Sequence, residues 1–115
     1  MFEISIIGTS ELGKEIPMVT LGSGKKVILA WSQMHGNEST TTKALMDFLA
    51  FIFQKKQNVD EINAFLATHT VHIIPILNPD GAEAYTRFNS NGVDLNRDAQ
   101  DLSQSESQAL RAVFD

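Results

Sequence analysis

The sequence predicts one α/β domain built on a mixed β-sheet flanked by helices. Three observations carry that expectation. Short apolar, β-rich segments separated by turns fill the first third of the chain, a helical period follows, and a β-branched apolar segment then returns. A length of 115 residues fits one domain and leaves no room for a second.

Glu3 to Ile7 and Ile16 to Leu21 read as two short strands joined by a turn rich in Gly, Ser and Lys. Gly22-Ser23-Gly24 is a tight turn, and Lys26 to Ser32 reads as a third, more buried strand. From Glu38 the pattern becomes helical, with Ala44, Leu45, Phe48, Leu49 and Ile52 recurring at spacings of three and four. Phe48, Phe51 and Phe53 are expected in the core of that helix. Lys55 and Lys56 suit its carboxyl end, where the dipole favours cations.

Asp60 to Ala67 is a short second helix, and Thr70 to Leu77 a strand running into a loop. Pro75 lacks an amide hydrogen, so it predicts a bulge or an irregular end there. Residues 78–98, dominated by Asn, Asp, Gly and Arg, read as a functional loop. Ser103 and Glu106 have the spacing of a capping box, opening a last helix that includes Leu110 and Val113. That helix reaches Asp115 without a stop signal, which predicts a chain that continues.

Composition excludes several classes of function. With 43% hydrophobic and 20% charged residues, the chain is an ordinary globular sequence rather than a disordered one. A net charge of −5, with no run of Lys or Arg longer than two, argues against a nucleic-acid or anionic-membrane partner. Cysteine is absent, so neither disulfides nor thiolate chemistry is available. Residues 1–8 lack a basic leader segment and carry an acid at Glu3, and the longest apolar stretch, Phe48 to Phe53, is too short to cross a bilayer. A cytoplasmic location is the expectation.

The chemistry concentrates in three polar clusters at predicted strand ends and in the loop beyond. The first, His35-Gly36-Asn37-Glu38, places an imidazole and a carboxylate three residues apart, a pair that can share a divalent cation such as zinc. The others are Asn78-Pro79-Asp80-Gly81 and Gly92-Val93-Asp94-Leu95-Asn96-Arg97. In an α/β sheet the carboxyl ends of strands form the usual crevice, where such clusters can converge.

Together and in this order, with Arg87 between the second and third, these motifs resemble the zinc carboxypeptidases of the M14 type. The resemblance runs from about Gly8, where Gly8 to Lys14 resembles the family's opening, to about Asp98. Each motif alone is weak, but the ordered set is highly specific. The resemblance implies a hydrolase that binds one zinc ion through His35 and Glu38. It implies that Arg87 stabilises a developing oxyanion, and that Asn96 and Arg97 hold the free carboxylate of a peptide or small amide substrate. A guanidinium suits both tasks, because its planar fork matches a carboxylate as a lysine cannot.

The chain also departs from the family pattern. A third zinc ligand (a histidine), a general-base glutamate and a later substrate-binding tyrosine have no matching positions; His69, His72 and Glu106 do not match them. The sequence therefore reads as a truncated, N-terminal half of such a domain. Alone it is expected to bind zinc weakly, to lack peptidase activity, and to self-associate through an exposed sheet edge and apolar face.

Simpler readings stand beside these. Glu38 suits a helix N-terminus regardless of metal, and Asn78 to Gly81 are strong turn formers that shape the site without a catalytic part. Asp94 can serve as a loop anchor for backbone amides, and Arg87 and Arg97 as surface ion-pair partners. His69 and His72 are expected to face solvent or to be satisfied in the core. Two rival functions remain open. One is a zinc amidohydrolase of the aspartoacylase or succinylglutamate desuccinylase type, which cleaves N-acyl amino acids; the full Asn-Pro-Asp-Gly turn favours the peptidase. The other is an inactive binding module.

Overall fold

The computed structural model describes residues 2–54 and 59–115; Lys55 and Lys56 lie outside them. The element order is β1 (Phe2–Thr9), β2 (Glu15–Gly22), β3 (Lys26–Trp31), α1 (Thr40–Gln54), α2 (Val59–Thr68), β4 (His69–Ile74), α3 (Pro79–Ala84) and α4 (Ser105–Phe114). The strands form one mixed sheet in the order β1-β2-β4-β3, antiparallel except for the parallel pair β3–β4. The expected α/β architecture is therefore the observed one.

Alternation along the strands assigns the two faces. Val19 and Leu21 of β2 and Val71 and Ile73 of β4 pack with Leu45 and Leu49 of α1 and Leu66 of α2. The intervening residues Ile16, Met18 and Ile74 pack on the opposite face with Leu29, Leu77, Leu95 and, from α4, Ala109 and Leu110. This period-two division places helices on both sides of the sheet. No helix among the described residues is long and apolar enough to cross a membrane.

Several elements depart from the sequence-based expectation. Strand β3 is not the more buried strand but an outer edge, with Val27 64% and Ile28 42% exposed. Its apolar composition suits a strand covered on both sides, and here β4 alone pairs with it. The Gly22–Gly24 turn does not join neighbouring strands: it passes beneath the start of β4, Ser23 N donating to Leu66 O and Gly24 N to His69 O. A Cβ on Gly24 would collide with the backbone of Thr68 and His69, so only glycine passes there.

Helix α1 starts at Thr40 and buries Leu49 and Ile52, whereas Phe48, Phe51 and Phe53 are 39%, 51% and 45% exposed. The phenylalanines are thus not the core of that helix. A near-continuous apolar run presents a ring on every side, and the sheet covers only one side. Strand β4 stops at Ile74, the residue before Pro75, which lacks a donor to extend the ladder. His72 on that strand is satisfied, its Nδ1 lying 2.8 Å from Thr20 Oγ1.

Residues 78–98 are not all loop. Asn78 caps α3, its side-chain oxygen accepting from Gly81 N at 2.9 Å, and Pro79 takes the first helical position, where its missing donor costs nothing. The capping box at α4 is also absent. Asp98, not Ser103, accepts from the Ser103 and Gln104 amides, both at 3.0 Å, while the Ser103 hydroxyl donates to that same carboxylate. Glu106 turns inward, fully buried, and accepts from Glu11 N at 3.4 Å and Asn89 Nδ2 at 3.2 Å. In exchange, Glu11 Oε2 accepts from Ser105 N at 2.6 Å. A distant acid thus takes the amide of the first helical residue, Ser105.

Candidate metal and carboxylate site

Strands β3 and β4 run parallel with Trp31 opposite Ile74, so both carboxyl ends open on one edge of the sheet. The His35 loop leaves β3 there, and the Asn78 turn leaves β4 beside it. The two are locked together. Leu77 N donates to Ser32 O (3.0 Å), Asn78 N to Gln33 O (3.2 Å) and Asn78 Nδ2 to Met34 O (3.1 Å). Asn78 is completely buried, so its side chain both starts α3 and seats the His35 loop. Gly36 lies against α3, where a Cβ would strike the backbone of Gly81 and Ala82. Asp80 is also buried and accepts from the Ser10 hydroxyl (2.9 Å), the Leu12 amide (3.2 Å) and Lys14 (3.3 Å), tying the β1–β2 turn to α3.

At the centre, His35 Nδ1 lies 3.0 Å from Glu38 Oε1 and His35 Nε2 lies 2.9 Å from Asp94 Oδ1. Asp94 Oδ1 also accepts from Asn96 N at 3.0 Å, and Asp94 Oδ2 from Arg87 at 3.3 Å. Arg87 leans toward Glu38 as well, at 3.7 Å. Burial works to raise the Asp94 carboxyl, but the hydrogen bond from His35, the Asn96 amide and the nearby positive charge together hold it below its ordinary range.

The geometry tests the fit of a metal. Asp94 can only accept, so His35 donates from Nε2, and in the neutral ring Nδ1 then presents a lone pair. That lone pair faces a carboxylate oxygen across 3.0 Å, an arrangement that requires a proton or a cation between the two atoms. Zinc accepts this mixture of nitrogen and oxygen ligands, so His35 and Glu38 would hold one ion here. A carboxylate on the far nitrogen of a metal-binding histidine is the usual orienting partner. The donor set therefore fits zinc, with two protein ligands; no group of three or more His, Cys, Asp or Glu placed to hold a metal occurs among the described residues.

The structure thus gathers His35, Glu38 and Arg87, as the sequence predicts, and adds Asp94, which sequence reasoning took for a loop anchor. It is that, through Asn96 N, but it also orients His35 and Arg87. The signal was present in its position two residues before Asn96; the contact to His35, 59 residues away, was not readable locally. Asn96 and Arg97 follow directly, both exposed, and the Arg97 guanidinium makes no ion pair among the described residues.

Comparison with known proteins settles the family. A family model described as zinc carboxypeptidase matches residues 1–112. The chain belongs to the zinc carboxypeptidase family. It is 39% identical over 82 residues to carboxypeptidase E of Caenorhabditis elegans, covering 60% of this chain and 17% of that protein. It is 34% identical over 83 residues to the catalytic chain of human carboxypeptidase N, covering 61% and 18%. Among solved structures, the metallo-carboxypeptidase of Burkholderia cenocepacia superposes with a TM-score of 0.85 at 24% identity, covering 98% of this chain and 33% of the other. The Pseudomonas aeruginosa metallo-carboxypeptidase, in complex with (2-guanidinoethylmercapto)succinic acid, gives 0.80 at 23% identity, with 96% and 32% covered. At these identities the structural matches establish the fold. The chain spans under a fifth of the length of the two relatives and about a third of the two solved chains.

Proposed function

We propose that this protein contributes the first part of the active site of a zinc metallocarboxypeptidase, which cleaves the amide bond next to a free terminal carboxylate. The observation that carries this reading is the facing pair His35 Nδ1 and Glu38 Oε1, with Nε2 of the same ring held by Asp94. His35 and Glu38 would hold one zinc ion. Bound there, zinc supplies a water ionisable near neutral pH and polarises the scissile carbonyl.

The chain's own residues do the rest of what is assigned to it. Asp94 fixes the His35 ring with Nδ1 toward the metal. Arg87 is half-exposed and reaches Glu38 and Asp94 with separate nitrogens, which leaves donors for a carbonyl oxygen as it gains charge. One preorganised donor of this kind is worth roughly 10²–10³-fold in rate. Asn96 and Arg97 present an amide and an exposed guanidinium to a substrate carboxylate, and the fork geometry of Arg97 suits a bidentate grip. The ligand of the Pseudomonas relative, named as a succinic acid, is a carboxylate compound, in keeping with that assignment.

A third ligand and a general base have no counterpart among the described residues, so we assign turnover to the complete catalytic domain and only weak zinc binding to the 115-residue chain. The exposed edge β3 is assigned to self-association of that chain. The test is an assay of the full-length protein, with and without chelator, on peptides and on N-acyl amino acids. Chelator-sensitive release of C-terminal residues is expected. Turnover of N-acyl amino acids alone would assign the amidohydrolase activity instead, and absence of zinc binding would overturn the reading.

A further inference from the structure

From Ser32 to Gly36 every backbone carbonyl has a donor. Ser32 O, Gln33 O and Met34 O accept from Leu77 N, Asn78 N and Asn78 Nδ2, and His35 O accepts from Glu38 N at 3.0 Å. The remaining one, Gly36 O, accepts from a side chain of the same loop, Gln33 Nε2, at 2.8 Å. The other end of that amide, Gln33 Oε1, accepts from the Thr42 hydroxyl at 2.9 Å. Thr42 in turn lies 2.9 Å from Pro75 O and 3.0 Å from Ser32 Oγ. The amide orientation is fixed, since a flip would set Gln33 Oε1 against the Gly36 carbonyl.

Gln33 reaches this place by adopting a left-handed backbone, φ 53°, a conformation costly for a residue with a Cβ. Glycine would take that conformation freely but could not bridge Gly36 to Thr42. Backbone strain held at a residue whose side chain closes a ligand loop is the pattern of a site stiffened for function.

We infer that Gln33 is a positioning residue for the metal ligands. Its amide clamps the His35-to-Glu38 turn to helix α1 through Thr42, setting the separation of His35 Nδ1 and Glu38 Oε1 before any ion arrives. It touches neither ligand and acts only through the Gly36 carbonyl. The assignment rests on the zinc reading above.

Two substitutions in the full-length protein separate this role from a merely structural one. Gln33→Gly removes the clamp and relieves the backbone, so the metal-free protein should keep or raise its melting temperature while zinc affinity, read by chelator competition, falls about 10–100-fold, the range for groups supporting metal ligands. Gln33→Glu keeps the shape but cannot donate to Gly36 O, and should lower zinc affinity and shift the visible spectrum of the cobalt-loaded protein. Unchanged affinity in Gln33→Gly would overturn the inference, as would a parallel loss of melting temperature and affinity. A wild-type protein that binds no zinc would overturn the zinc reading with it, whereas wild-type binding with unaffected variants sinks the clamp alone.

Discussion

Asp94 joins more of the site than any other side chain. One oxygen holds His35 and the Asn96 amide, the other Arg87. Replacing it by alanine should leave the sheet intact, because no core residue rests on it, while freeing the imidazole to rotate. Zinc affinity of Asp94→Ala should drop about 10–100-fold with little change in the melting temperature, measured by chelator competition and calorimetry. A drop in stability with affinity preserved would show that Asp94 serves the loop alone. His35, Glu38 and the two arginines were legible as site candidates in the sequence because each lies within a short ordered motif. The orienting role of Asp94 was not, because it depends on a contact with His35 made only once the β3 loop and the loop at residues 89–97 meet; the clamp of Gln33, though short in sequence, depends on a left-handed backbone that its residue type does not announce.

Helix α4 shows how an element is governed from outside its own sequence. The two residues before it, Ser103 and Gln104, donate their amides to Asp98, and its first residue, Ser105, donates to Glu11. Both carboxyls lie below their ordinary values: Glu11 chiefly through the Ser105 amide, and Asp98 because bonds from Ser103 and Gln104 outweigh its burial. A depressed folded pKa means that the stabilisation is complete above the unfolded value, about 4, and is lost as pH falls through the folded value. The urea midpoint should therefore hold down to about pH 5 and decline below about pH 4, and Asp98→Asn should flatten part of that decline. A wild-type midpoint independent of pH down to 2 would contradict these bonds. Helix existence was readable here from Leu110 and Val113; its cap was not, since the acceptor lies 94 residues away. In α3 the signal was local instead: Asn78 and Pro79 carried a helix start that their turn propensity masked.

At the scale of the molecule, fold class followed from the order of strand-like and helix-like segments, whereas burial did not. Apolar content marks β3, Phe48, Phe51 and Phe53 as interior, yet in this chain they stand at the surface. Val27, Leu29 and Trp31 point to the α4 side, where Trp31 meets the Phe114 ring edge-on at 5.9 Å. An unpaired edge with exposed apolar side chains is a template for another strand. Light scattering of the 115-residue chain should report association that Val27→Lys reduces, because a charge on an edge strand opposes pairing. A monomer at all concentrations would count against it.

The exchange between Glu11, Ser105 and Glu106 carries a kinetic consequence. It closes a span of 94 residues with bonds that are useless until the hairpin turn and α4 are both formed. Such a latch is expected to set late in folding and to release early, so the Glu11 and Ser105 amides should exchange their hydrogens with deuterium at one shared rate, faster than the amides of β4. The first turn of the chain would thus come free together with its last helix.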